Sequence, residues 1–453
     1  MEDSRNQSSL NRLLTASPIE LQALNQARLD LLAELPGTQM KSQGVLSLDD
    51  TLLIHYGKHF EHISVLWDHV DERYVLAHNL VTLHYSDDDT DYPVLFQLWK
   101  PADLTRLEQG LRAAKIPLKA DKQALKQDDP PKWRAYLLGV WRRRQKQHPE
   151  LAELYDSKLR IGEHLLQQWG EAHPNRKLPV AFDNWYTQPG FCHYLNDVLQ
   201  WPYVGALAAN DQVVLKRGTE PVEQFATELK REHLQAVECG RKGVFHPIRI
   251  HYRGRAECYY SYCQTHRLKD YGRLRLVKVA RCGAINHRQA DLSDDPICLI
   301  TNRLQWQAPG ITRIYRHRKW PAAGPWPVEV FHEEGKAESG PSRGQGLDQY
   351  QLRDFGAVER HVALVVVVYS LLRAAQQSGR SRGHDPTLQS KLQRQLKLKL
   401  DASQSGRGSA GFWQRVTQAQ SLWSLAVFVS AGLNQGQSLH TLMAPLLRAV
   451  CAI

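Results

Sequence analysis

Three acidic residues stand where phosphoryl chemistry would need them. Asp49 closes the apolar run Gly44-Val45-Leu46-Ser47-Leu48, and Asp183 closes a second, Leu178-Pro179-Val180-Ala181-Phe182. Glu329 lies in Trp326-Pro327-Val328-Glu329-Val330-Phe331, at the start of an expected helix. Two strand-end aspartates and one helix glutamate can converge on a pair of divalent cations, and hard oxygen ligands suit Mg²⁺. Two such ions, roughly 3.5–4 Å apart, activate the attacking oxygen and stabilise the leaving one in phosphodiester displacement. Spacing alone does not require this, because turn and cap residues occupy the same kinds of position. Asp50 is the rival of Asp49. Alternate strand residues face opposite sides, so only one of the two can point at the metals, and the pattern Asp-x-Thr favours Asp49.

The elements that must position these groups read as an α/β chain. A polar helix ends near Leu35. Strands follow at Gly44–Leu48, Tyr74–His84 and Val94–Leu98, with the turn Asp87-Asp88-Asp89-Thr90-Asp91 between the last two. Residues from Pro101 to about Glu153 are helical and basic, with eleven Lys/Arg against three Asp between Arg112 and Lys146. Leu159, Ile161, Leu165, Leu166 and Trp169 define a helix with one buried face. Residues 211–302 are β-rich, with strands at Val213–Lys216, Ile248–Tyr252, Leu274–Val279 and Ile297–Thr301, several mixing basic and apolar residues. The chain is helical again from Tyr315, and His361–Leu372 is a core helix. Ser378–His384 and Ser403–Gly411 read as linkers flanking a basic amphipathic stretch, Leu388–Leu400, and a small helical tail follows.

Composition sets broad bounds. A chain of 453 residues is too long for one ordinary domain. Its net charge of +11 suits a polyanionic partner without demanding one. Met1–Pro18 has no apolar signal region, and Val362–Leu372 is too short to span a bilayer, so no membrane role is expected. Seven cysteines in this length form no disulfide framework, which points to a reducing cytoplasm.

Local motifs sharpen the reading of the three acids. Tyr315, Arg318, Glu329 and Lys336 resemble the Tyr-Arg-Glu-Lys motif of bacterial insertion-sequence transposases of the DDE class. Arg318 falls three residues after Tyr315, and Lys336 seven after Glu329, as in that motif. Asp49-Asp50-Thr51 resembles the family's first-aspartate strand, and Asp183-Asn184-Trp185-Tyr186 its second. The run from Gly340 to Ala363, with Tyr350, Arg353 and His361, is similar to the helical region after the glutamate. The resemblance covers roughly residues 8–375.

It implies a ribonuclease-H-like catalytic domain, a mixed sheet flanked by helices, with a β-rich insertion and a helical C-terminal tail. Residues 1–40 would be an N-terminal helical segment, and 41–210 the first part of the core, with a basic helical insert at about 101–155. Residues 211–295 would be the insertion, 296–376 the second part of the core, and 377–453 the linker and tail. Asp49, Asp183 and Glu329 would hold two Mg²⁺ ions, with Mn²⁺ as a substitute. Tyr315, Arg318 and Lys336 would contact DNA phosphates, since cations beside an acidic metal site can hold a phosphate the carboxylates would repel. The partners implied are double-stranded DNA, as transposon end and as target, and a second copy of the chain on that DNA, in a bacterial cytoplasm at the nucleoid. The family's arginine lies four residues before its glutamate. Here the two are eleven apart, and Lys319–Pro325 reads as an inserted segment. Family members also commonly carry an N-terminal DNA-binding domain ahead of the segment that begins here. A truncated or repurposed transposase that binds DNA without cutting it is therefore the alternative, and a structure-selective nuclease without strand transfer a third.

Weaker signals have plainer accounts beside them. Trp133, Tyr136 and Trp141 with Arg142, Arg143 and Arg144 combine aromatics and cations as DNA surfaces do, or form a helix docked on its aromatic face. Cys258, Cys263 and His266 lack paired zinc spacing and a fourth ligand, and read as groups on strands. Asp87–Asp91 reads as a solvated hairpin loop rather than a cation site. His332, one turn after Glu329, reads as a supporting residue.

Overall fold

The segment Val45–Ile54, rich in leucine and β-branched residues around Asp49 and Asp50, forms the central strand β1, buried along most of its length. Around it, a computed structural model of the protein describes residues 14–16, 20–35, 37–145, 147–281, 296–318, 327–336, 347–348, 350 and 352–381. The inserted segment Lys319–Pro325, the stretch Leu388–Leu400, the linker Ser403–Gly411 and the C-terminal tail lie outside the described residues. Ser378–Ser381, expected as linker, continues a helix instead.

Helix α1 (Leu21–Glu34) precedes β1. Strands β2 (Ser64–Asp68), β3 (Arg73–Ser86) and β4 (Asp91–Trp99) follow it. The basic stretch supplies α2 (Leu104–Ala113) and α3 (Pro130–Arg144), then α4 (Lys158–Ala172), β5 (Val180–Phe182), the short α5 (Pro189–His193) and β6 (Tyr203–Ala206). Next come β7 (Gln212–Leu215), β8 (Gly218–Pro221), α6 (Val222–Glu238), β9 (His246–Tyr252), β10 (Arg255–Leu268), β11 (Gly272–Arg281) and β12 (Ile297–Thr301). Helices α7 (Ala308–Arg316), α8 (Pro327–Gly335) and α9 (Phe355–Ser381) follow.

β1 pairs antiparallel with β3 on one side and parallel with β5 on the other. β3 pairs antiparallel with β4, with a register shift at Leu83/His84, and β5 pairs parallel with β6. The order β4-β3-β1-β5-β6 is thus a mixed sheet. β6 passes it on antiparallel through β12, β11 and β10, so the strands of the β-rich region extend the same sheet. That region also carries the helix α6, which the strand reading of 211–302 missed. Its buried Val222, Phe225, Ala226, Leu229 and His233 recur at helical spacing.

The two faces of β1 differ in what they meet. Leu48 packs toward Gly162 of α4, where an added Cβ would come within 2.7 Å of its side chain. Helix α8 packs on the opposite side, against β1, β3 and β4. One main core joins the sheet to α1, α4 and α9. A second joins Ile250 and Tyr259 to Ala308, Ile311 and Tyr315 of α7. A third is confined to the basic helical stretch, where Leu107, Leu111, Trp133, Leu137 and Trp141 pack together. No helix among the described residues is long and apolar enough to cross a membrane.

Candidate active site

The register Leu46↔Val180 and Ser47↔Ala181, counted onward, sets Asp49 beside Asp183 across the β1/β5 pair. Asp183 stands one residue past β5, and its turn fixes it. Its Oδ1 accepts the backbone N–H groups of Trp185 (3.0 Å) and Tyr186 (3.2 Å), and its carbonyl accepts the Thr187 hydroxyl (2.6 Å). That is an Asx-turn, the local bonding that suits aspartate at a strand end. Its Oδ2 is left facing the site.

One cation joins the two acids. Nη2 of Arg318 lies 3.0 Å from Oδ1 of Asp49 and 3.3 Å from Oδ2 of Asp183. Arg318 is 2% exposed. It comes from the turn that ends α7, where its backbone N–H donates to the Tyr315 carbonyl at 3.0 Å. Glu329, half-buried in the first turn of α8, is near enough to act on the same guanidinium electrostatically. Burial would lower the Arg318 pKa, but Asp49, Asp183, Tyr315 and Glu329 together raise it, so the side chain is a fixed positive charge.

Asp49 and Asp50 part as strand alternation requires. Asp50 faces the α4 side. Its Oδ2 accepts from Asn79 (2.7 Å) and Lys158 (2.8 Å), and its Oδ1 accepts the Tyr186 hydroxyl (3.1 Å). Asp50 is therefore held in a network of its own, while Asp49 shares a cation with Asp183.

Burial pushes the Asp49 carboxyl up to about 6. Arg318 pulls it down, and the neighbouring Asp183 and Asp50 push it further up. A cation at this site competes with a proton on Asp49. Mn²⁺ affinity is therefore expected to fall as pH drops through about 6, which calorimetric titration on either side of that pH would check. An affinity independent of pH there would contradict it.

The donor set fits a hard divalent cation, since two carboxylates already converge on one positive group. Among the described residues, no three His, Cys, Asp or Glu side chains stand close enough together to form a complete ligand cluster.

The residues around Arg318 each bind a different part of the fold. Tyr315 is buried, and its phenol is pushed up to about 12 by burial, with Arg318 opposing. Arg316 forms a two-pronged pair with Glu257 of β10 (2.9 and 3.1 Å), with its guanidinium 4.1 Å from the Tyr252 ring centre. His317 bonds Ser86 at the end of β3 (2.9 Å). The end of α7 thus ties the acidic pair to both the central sheet and the extending strands. Sequence reading singled out Tyr315 and Arg318 but missed Arg316 and His317, whose partners are far away in the chain.

The other residues singled out by the sequence fall on several elements. Lys336 is half-buried just past α8. It stands seven residues beyond Glu329, about 10 Å along a helix axis. Arg142, Arg143 and Arg144 are exposed at the end of α3, but Trp133 and Trp141 are buried in the local core and cannot stack on bases. His332 is buried behind Glu329, and burial holds its pKa well below the usual range. Cys258, Cys263 and His266 all lie on β10. The two cysteines face opposite sides, and eight residues of strand, about 26 Å, separate Cys258 from His266, so they cannot share an ion.

The acidic turn is not the solvated loop that its composition predicts. Asp87 and Asp91 are buried. Asp87 accepts from Tyr85 (2.6 Å) and from the backbone of Asp89 and Thr90. Asp91 accepts from Arg253 (2.7 Å) and Tyr369 (2.8 Å). Arg253 and Gly254, with φ of 47° and 75°, form the tight turn between β9 and β10. The tip of that hairpin rests on the acidic turn, where Asp88 also pairs with Arg313 of α7 at 2.9 Å.

A mixed sheet flanked by helices, carrying two aspartates side by side on its central parallel strands, is consistent with a ribonuclease-H-like nuclease domain. Residues 1–234, just over half of the chain, match the family described as DDE superfamily endonuclease, and the chain belongs to that family. Membership implies a metal-dependent nuclease that acts on DNA. The matched region holds Asp49, Asp50 and Asp183, and ends before Tyr315, Arg318, Glu329 and Lys336. No match is found among curated proteins.

Proposed function

We propose that the chain is a DNA transposase that cleaves phosphodiesters at transposon ends and joins the freed end to target DNA. The single observation that carries this reading is the convergence of Asp49 and Asp183 on one buried cation, at 3.0 and 3.3 Å. Two bound divalent ions, Mg²⁺ or Mn²⁺, would make the attacking oxygen nucleophilic and offset charge on the leaving oxygen. In this reading Asp49 and Asp183 hold the ions from the sheet, and Glu329 completes the ligand set from α8. Arg318, Tyr315 and Lys336 hold phosphate oxygens against the acids' repulsion. Water breaks the bond at the transposon end and leaves a 3′-hydroxyl. That hydroxyl then attacks target phosphorus and expels a target 3′-oxygen. The β9–β10 hairpin, with exposed Arg249 and His251, lies against duplex, as do Arg142, Arg143 and Arg144. Two copies act on paired ends, at the bacterial nucleoid.

A second reading has an observation in its favour. Arg318 already neutralises both aspartates, as it would in a repurposed chain that binds DNA without cutting it. Supercoiled plasmid incubated with the protein and Mg²⁺ or Mn²⁺ separates the readings. Nicked circles together with joined products are expected. Cut DNA that is never joined would leave a nuclease only, and DNA bound with no nick in either metal would overturn catalysis.

A further inference from the structure

Arg318 is held differently from its neighbour Arg316. Arg316 meets Glu257 with two nitrogens on two oxygens, the geometry of a permanent pair. Arg318 reaches Asp49 and Asp183 through Nη2 alone. Among the described residues, its Nε and Nη1 are buried with no hydrogen-bond partner. A guanidinium carries five donors, and the two acids are met only by those of Nη2. The position between the two carboxylates therefore needs a positive charge more than it needs an arginine. The charge is needed because two acids side by side in a buried place repel one another.

We infer that Arg318 is an internal place-holder for the divalent cation, and that cation entry and guanidinium departure are a single exchange. This rests on the reading of Asp49 and Asp183 as metal ligands. In the metal-free protein the guanidinium holds the two carboxylates together. A divalent cation brings more charge and direct oxygen coordination to the same two carboxylates, and it displaces Nη2. Departure frees every donor of Arg318 for an anion, and the phosphate of a DNA strand at the site is the anion at hand. The exchange makes wild-type metal affinity an apparent one, reduced by the fraction of time the guanidinium is out. A site blocked about nine-tenths of the time would bind roughly tenfold more weakly than the same site unblocked.

The test is calorimetric titration of Mn²⁺ into the DNA-free, full-length protein. Arg318→Gln is expected to bind Mn²⁺ about tenfold more tightly than wild type. Arg318→Lys keeps a charge but has a different reach and hydration, and should fall between them. Unchanged or weaker binding in Arg318→Gln would overturn the exchange. Should that variant fail to fold, Arg318→Lys decides: tighter binding supports the exchange, and equal or weaker binding overturns it. Asp183→Asn is titrated in parallel. If it retains wild-type affinity, the acids are not the metal ligands, and the underlying reading fails whatever Arg318 does.

Discussion

Asp183→Asn is expected to lower metal-dependent DNA cleavage by at least about a thousandfold, some 4 kcal/mol of transition-state stabilisation. The substitution keeps the side chain's shape, and an amide oxygen can still accept the N–H groups of Trp185 and Tyr186. The turn should therefore survive, and so should DNA affinity, to within a few-fold. Asp49→Asn should behave in the same way. Asp50→Asn is the control, because Asp50 points to Lys158, Asn79 and Tyr186 and not to the shared cation. It should cost stability while leaving measurable cleavage. Single-turnover cleavage of a labelled duplex, with gel-shift affinity beside it, checks all three. Full cleavage by Asp183→Asn would remove the acid from the chemistry.

The second large effect concerns stability. Asp91→Asn should destabilise the fold by about 3–5 kcal/mol, because it leaves a buried cation cluster without its counter-charge. Asp91 is 2% exposed, and it faces Arg253 at 2.7 Å, Arg373 at 3.5 Å and His84 at 3.4 Å. Burial alone would raise its pKa, but Arg373, Arg253 and His84 hold it well below the ordinary carboxylate value. A depressed carboxylate stabilises the fold fully above its unfolded pKa of about 3.9. That contribution is lost as pH falls through the lower folded value. Wild type should therefore lose part of its stability in that acid range, and Asp91→Asn should lack that part of the pH dependence. Denaturant midpoints at neutral and acid pH would check this, and an unchanged midpoint in the variant at neutral pH would contradict it. The loss should be felt at the acidic pair as well. Arg253 anchors the β9–β10 hairpin beside α7, and α7 carries Arg318.

Much of the acidic site is legible in the sequence. Asp49 and Asp183 each end an apolar run, and strand alternation alone separates Asp49 from Asp50. Tyr315 and Arg318 are marked by their resemblance to the Tyr-Arg-Glu-Lys motif. The destination of Arg318 is not: β1 runs on past Leu48 to Ile54, so Asp49 sits in mid-strand and only Asp183 at a strand end, and the ground between them is set by the pairing of β1 with β5, which no local pattern encodes. The acidic turn Asp87–Asp91 illustrates the same limit. Five polar residues in a row look solvated until Arg253, Arg313 and Tyr369, all distant in the chain, close over them. Helix α6 shows a different failure. Its 3.6-residue period is present in Val222, Phe225, Ala226 and Leu229, but the strand-forming residues on either side mask it.

The central claim is that Asp49 and Asp183 jointly hold the cation that DNA cleavage requires. Crystals soaked in Mn²⁺ and measured at its absorption edge test this directly. The account predicts an anomalous peak in contact with both carboxylates, with Arg318 moved off them. A peak found only elsewhere, with Arg318 still bound to both acids in a protein that cuts DNA with Mn²⁺, would contradict it.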